Sequence, residues 1–299
     1  MTHELAGIIP PITTPFDRDG EVLFDRFREN LRRWAGTRVA GVTVLGSNGE
    51  NPSLSDEERV ALVDAARPLV AGDRVLIAGA GKESTRLTLE FIRKIADRGA
   101  DYALVGTPCY FKAAMTDEVL YVHYSTIADR SPIPLLVYNV PQFTGVNTSA
   151  ALIHRLSSHE NIAGIKESSA NLPLQAEIRR RTPERFRILV GSAPTLLPSL
   201  IQGACGGIVA IACALPELAV ELFEAFRSGD WQAAARLQSA LSPPAAAVTT
   251  QFGVPGLKAA MDLTGYFGGE PRLPLLPLGA PERQKLQSIF QSAGAWAPA

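Results

Sequence analysis

Eight short apolar runs recur along the chain, at residues 7–12, 42–45, 75–78, 102–105, 135–138, 162–165, 188–190 and 208–211, and none alternates polar with apolar. A strand with one face in water alternates; a strand buried on both faces reads as a continuous run. The runs are spaced by roughly 20 to 35 residues, the length of one strand–helix unit. Amphipathic patterns fill the intervals: Phe24, Phe27, Leu31 and Trp34 share one helical face, and Leu89, Ile92 and Ile95 another. Ser55 and Glu58 form a capping-box pattern ahead of Val60 and Val63, and Pro216 is placed to open a helix with Leu218, Leu222 and Phe226 on its apolar face. Eight doubly buried strands alternating with helices predict an α/β fold, the (β/α)8 TIM barrel. A doubly wound open sheet has the same periodicity and stays open as the alternative.

Beyond the eighth unit, 230–241, 252–264 and 282–293 read as three more helices, the last following a Pro/Gly-rich stretch. The expected division is a barrel over 1–229 and a C-terminal helical region packed on it over 230–299. At 299 residues and 46% hydrophobic content, the chain can bury one large core. Its net charge of −1, with charges of both signs well mixed, offers no basic stripe for phosphates, so neither nucleic acid nor an anionic membrane is an expected partner. No apolar run approaches the ~18 residues of a spanning helix, and residues 1–7 lack the pattern of a signal or transit peptide. Three cysteines without a CxxC pair argue against a disulfide framework or a thiolate zinc site, and a reducing cytoplasm is the expected location.

In a barrel of this kind the active site forms at the C-terminal ends of the strands. The first run ends in Thr13-Thr14-Pro15, the second in Gly46-Ser47-Asn48-Gly49-Glu50, the fourth in Thr107-Pro108-Cys109-Tyr110, the fifth in Tyr138-Asn139 and the sixth in Lys166-Glu167-Ser168. Lys166 directly follows a core run. There it is either a nucleophile, whose free amine a desolvated apolar pocket favours, or a strand-end lysine that snorkels to water or pairs with Glu167. Tyr138 closes the neighbouring run, as a proton shuttle or as a packing residue. The glycines around Ser47 and Asn48 suit backbone amides turned toward a carboxylate, and suit an ordinary strand–helix turn equally.

Two patterns mislead. The stretch Gly79 to Ser84 looks like a phosphate loop, but Leu76 stands where the earlier glycine belongs and Glu83 separates Lys82 from Ser84. It reads as a turn capped by Ser84, and it lacks the third glycine of a dinucleotide site. The histidines, His3, His123, His154 and His159, fall at no strand end, which disfavours a metal-dependent barrel enzyme; no metal is expected.

At these residues the sequence resembles the dihydrodipicolinate synthase / N-acetylneuraminate lyase family of pyruvate-dependent class I aldolases. The resemblance covers nearly the whole chain and rests on five ordered motifs: Pro11 to Phe16, Gly46 to Glu50, Thr107 to Tyr110, Tyr138 to Pro141, and Gly164 to Ser168. It implies a homotetramer built from tight dimers and a covalent lysine in place of any cofactor. Lys166 would be the Schiff-base lysine and Tyr138 the proton-transfer phenol. Ser47 would continue the relay with Tyr110, the latter delivered across the dimer interface. Ser47 and Asn48 would hold the pyruvate carboxylate, and Val209 would line the pocket floor.

The synthase branch carries an arginine two residues after the proline of the Tyr138 motif, where it grips the carboxylate of aspartate semialdehyde; here the residue is Phe143, which cannot act as a bidentate cation. The Ser47-Asn48 pair, Cys109 and the run from Ala247 to Tyr266 resemble instead the 4-hydroxy-2-oxoglutarate aldolase branch. In that branch Ser47, Asn48 and Ser168 would bind the distal carboxylate. The sequence therefore leads us to expect a lyase that forms a Schiff base with 2-oxo acids and cleaves 4-hydroxy-2-oxoglutarate to pyruvate and glyoxylate. The alternatives are a dihydrodipicolinate synthase (4-hydroxy-tetrahydrodipicolinate synthase), a sugar-acid aldolase or dehydratase and, in another class, a non-catalytic 2-oxo-acid-binding regulator.

Overall fold

The computed structural model describes residues 5–295. Eight parallel strands form one sheet: β1 (Gly7–Ile8), β2 (Gly41–Val44), β3 (Val75–Gly79), β4 (Tyr102–Gly106), β5 (Leu135–Asn139), β6 (Ile162–Glu167), β7 (Arg187–Val190) and β8 (Gly206–Gly207). The ladder runs β1-β8-β7-β6-β5-β4-β3-β2. A single Pro11–Thr43 bridge joins its two ends, giving a nearly closed barrel rather than an open doubly wound sheet. At this seam the Ile12 amide donates to the Thr43 carbonyl and the Thr43 amide to the Pro10 carbonyl, each at 2.9 Å.

The expected first and eighth strands are shorter than their apolar runs. Pro10 and Pro11 have no amide hydrogen, so the ladder beyond Ile8 cannot continue and is replaced by isolated bonds. The eighth strand lies at Gly206–Gly207, before the run at 208–211, and Ala210–Cys213 is a 3-10 turn. Closure explains the glycines: a Cβ on Gly206 would stand 2.0 Å from the Gly7 carbonyl oxygen and 2.5 Å from its nitrogen.

Alternation along each strand produces two apolar layers. Leu136, Tyr138, Leu104, Ile77 and Leu189 fill the barrel interior. Leu135, Val137, Val105, Ala78 and Val190 face outward into the layer under the helices. The helices follow the sequence signals closely. Ser55 accepts from the Glu58 amide while Glu58 accepts from the Ser55 amide, completing the capping box of Asp56–Ala66. Ser84 caps Thr85–Ala96, and Pro216 opens Pro216–Arg227.

After the barrel come helices Trp231–Ala246, Gly253–Leu263 and Ala280–Ser292. The first does not stop at 241 as its prolines suggest. It passes through Pro243 and Pro244 and widens into a π-helical turn, Ala247–Gln251. No helix among the described residues is long and apolar enough to cross a membrane.

Barrel closure at β1–β8 leaves no room for a side chain at Gly206. Gly206→Val is expected to cost about 3 kcal/mol or more, seen as a melting temperature lowered by roughly 5–10 °C. Gly72→Ala, with no atom within 4 Å of the added carbon, serves as the silent control in the same thermal scan.

Candidate active site

Lys166 and Tyr138 are partners in the β5–β6 register, with Asn139 opposite Glu167. A register shift at Leu135/Leu136, where Ile162 and then Gly164 stand opposite, sets which β6 side chains face inward. From there the alternation is strict: Ile165 turns outward, Lys166 inward, Glu167 outward. The Lys166 ammonium lies 4.3 Å from the centre of the Tyr138 ring. Lys166 is only 4% exposed and has no carboxylate partner among the described residues.

The pairing of Lys166 with Glu167 that the sequence left open does not occur. The Glu167 carboxylate accepts from the Asn139 amide group at 2.8 Å and from the Ser169 backbone at 2.6 Å. Asn139 also donates to Asn147 at 2.8 Å and accepts from the Thr148 amide at 3.0 Å. The outward residues of the two strand ends thus satisfy one another. The inward lysine is left with an aromatic face and no counter-charge.

Ser47 reaches the same point from β2. Its hydroxyl lies 3.3 Å from the Tyr138 hydroxyl. The turn Ser47–Gly49 is bracketed by two left-handed residues, Leu45 (φ 57°) and Glu50 (φ 55°), a conformation that costs a branched or bulky side chain energy and is found concentrated at functional sites. A cavity of about 220 Å³ opens here, lined by Ser47, Gly81, Thr107, Cys109, Tyr138 and Phe143 among others. Lys166 does not line it directly; it meets it through Tyr138.

The other expected site residues are placed less directly. Ser168 follows Lys166 on the inward side and is buried, its hydroxyl without a hydrogen-bond partner among the described residues. It packs so tightly on Gly191 that a Cβ there would lie 1.7 Å from its oxygen. Asn48 sits half-buried in the turn, and Val209 is fully buried just after β8; neither lines the cavity. Tyr110 is 79% exposed, its ring edge-on to Phe111, and its hydroxyl makes no hydrogen bond among the described residues.

One contributor was passed over in the sequence. Glu83, inside the false phosphate loop, accepts from the amides of Cys109 at 3.0 Å and Tyr110 at 2.9 Å, and from the Cys109 thiol at 3.3 Å. Burial opposes its charge, but these bonds outweigh burial and hold the carboxyl below its ordinary range. Burial first, and then Glu83, push the Cys109 thiol up. Lys82, which also lines the cavity, has its ammonium engaged by Asp56. Thr107, also at the cavity wall, keeps a buried hydroxyl without a partner among the described residues. No group of three metal-ligating side chains comes together among the described residues.

A parallel barrel whose mouth holds a desolvated lysine against a phenol is a frame for covalent amine catalysis. Comparison with known proteins agrees. Residues 4–293 match the model of the dihydrodipicolinate synthetase family. A 4-hydroxy-tetrahydrodipicolinate synthase of Archaeoglobus fulgidus is 36% identical over 287 residues, covering 96% of this chain and 97% of the relative; one from Exiguobacterium is 32% identical over 285 residues, covering 95% and 97%. The solved dihydrodipicolinate synthase of Bacillus anthracis superposes with a TM-score of 0.93 at 29% identity, covering 99% and 100% of the two chains. A prophage protein of E. coli K12 from the same family, solved in complex with pyruvate, superposes with a TM-score of 0.91 at 28% identity, covering 97% and 99%. The chain belongs to the dihydrodipicolinate synthase family and is an enzyme, a carbon–carbon lyase of the pyruvate-dependent class I aldolase type.

The Asn139–Glu167 bond is the outer brace of the strand ends that carry Lys166 and Tyr138. Asn139→Ala is expected to lower unfolding stability by about 1–3 kcal/mol, because a buried carboxylate loses a donor and the Thr148 amide an acceptor. Urea unfolding measures this, and a change below about 0.5 kcal/mol would show the brace to be dispensable.

Proposed function

We propose that Lys166 attacks the carbonyl of pyruvate, or of a 2-oxo acid that yields it, to form a Schiff base that serves as electron sink for making or breaking the adjacent carbon–carbon bond. The observation that carries this reading is the buried, inward-facing Lys166 without a counter-charge, set against the ring of Tyr138. The amine adds to the carbonyl and water leaves. The iminium then accepts the electron pair of the cleaved bond, and hydrolysis returns the lysine. Because the lysine is the sink, this chemistry calls for no metal.

Tyr138 moves the proton between the carbinolamine or substrate hydroxyl and solvent, with Ser47 as the next group in the relay. The turn amides of Ser47 and Asn48, with no earlier helical carbonyl to bond, suit the pyruvate carboxylate. Tyr110 completes the relay from a second copy of the chain. Its exposure, and that of the adjoining Phe111, supports an assembly that covers this face. A homotetramer in the cytoplasm fits this reading, with the C-terminal helices over 230–299 packed as a distinct region against a barrel of 1–229.

The second substrate has two supported readings. The relatives' names favour 4-hydroxy-tetrahydrodipicolinate synthase, with aspartate semialdehyde as acceptor, over the 4-hydroxy-2-oxoglutarate reading that the loop variants suggest. Phe143, an exposed phenyl ring at the cavity where a bidentate cation would hold the semialdehyde carboxylate, favours the cleavage of 4-hydroxy-2-oxoglutarate. On that reading Ser47, Asn48 and Ser168 hold the distal carboxylate of the shorter diacid.

Tyr138→Phe is expected to lower turnover by roughly 10² to 10⁴ while pyruvate still forms a reducible adduct; near-normal turnover would make Tyr138 a packing residue. The substrate is decided by kcat/KM for both reactions on one preparation. If Phe143 governs, 4-hydroxy-2-oxoglutarate is preferred, and Phe143→Arg shifts the ratio toward the semialdehyde by roughly 10- to 150-fold, the worth of one charge-assisted bond. A wild-type preference for the semialdehyde establishes the synthase reading.

A further inference from the structure

Lys258 and Glu50 form an ion pair at 2.6 Å with both side chains about 2% exposed, and neither belongs to the residues assigned above to the chemistry. Glu50 follows the Ser47–Gly49 turn directly, in its left-handed conformation. Its second oxygen accepts from the Arg272 amide at 2.8 Å. Lys258, on the C-terminal helix Gly253–Leu263, spends its other protons on the Thr14 carbonyl at 2.8 Å and the Glu270 carbonyl at 2.7 Å. Its ammonium lies 4.6 Å from the centre of the Phe16 ring. Thr14 in turn donates from its hydroxyl to the Gly49 carbonyl at 2.8 Å.

The turn carrying Ser47 is therefore fastened at its far end by the Arg272 amide and by two further routes that pass through Lys258. A fully buried ion pair is a poor device for stability, since desolvation offsets the attraction; its best-attested use is to select one geometry over its neighbours. The geometry at issue here is that of a strained turn, left-handed at Leu45 and Glu50, which would relax if released. What that turn places is the Ser47 hydroxyl against Tyr138.

We propose that Lys258 and Glu50 are positioning residues: their buried pair sets Ser47 against Tyr138 and so couples the C-terminal helix Gly253–Leu263 to the proton relay at the barrel mouth. The kinetic part of this proposal rests on the aldolase reading above; the geometric part does not.

The test compares wild type with Lys258→Met and with Lys258→Met/Glu50→Gln, the latter leaving no charge buried and so keeping a folded protein available. Crystal structures are expected to show the Ser47 and Tyr138 hydroxyls parted beyond about 4 Å in the variants. In kinetics, kcat falls about tenfold or more while the borohydride-trapped pyruvate adduct forms to the wild-type extent. Adding Ser47→Ala to Lys258→Met then costs no more than about twofold beyond Ser47→Ala alone, since both changes act through one contact. An unchanged Ser47–Tyr138 separation, or losses that multiply as independent effects do, overturns the proposal. If wild type traps no pyruvate, it is the aldolase reading that fails, and the crystallographic comparison alone decides the positioning claim.

Discussion

The structure turns on a lysine held inside a barrel with no carboxylate among the described residues to neutralise it. Burying an ammonium group is costly unless it is paired or deprotonated, and the surrounding residues deny Lys166 the pair: Glu167, its sequence neighbour, faces the other side of β6 and is taken by Asn139 and Ser169. Strand alternation, the register shift in β5–β6 and the bonds among the outward residues all act to hold the inward amine against Tyr138 and away from Glu167. An inward-facing amine at a barrel mouth is the arrangement that covalent amine chemistry requires.

The same barrel logic decides how the other groups arrive. Ser47 comes from β2, Tyr138 from β5 and Lys166 from β6, so the site is assembled by closure and by no single segment. Closure depends on two different devices, glycines that admit the β1–β8 ladder and a proline-limited seam between β1 and β2. Phe143, by contrast, lies at the cavity in the short helix Pro141–Thr144, on a different element from Lys166 and Tyr138.

Much of this was legible in the chain. Continuous apolar runs locate β2 to β7 because strands buried on both faces have no other pattern to show, and the capping signals at Ser55, Ser84 and Pro216 act locally and so read locally. The lengths of β1 and β8 were not legible, because the apolar run at 7–12 hides two prolines without donors and the true eighth strand is two glycines with no side chains to register. The helix past Pro243 is set by packing and a π-helical turn, which no local propensity reports. Lys166, Tyr138 and Ser47 converge as expected, whereas Asn48 and Val209 do not reach the cavity and Tyr110 faces outward from this chain. Glu83 was obscured by a misleading glycine pattern, and the Lys258–Glu50 pair joins residues too far apart in sequence to leave any periodic trace.

The central claim is that Lys166 is the covalent residue, and reduction of the pyruvate adduct tests it most directly. Incubation with pyruvate and borohydride, followed by peptide mapping, is expected to find one adduct per chain on the peptide containing Lys166. An adduct on a different lysine, or none on protein shown to be folded, would contradict the account.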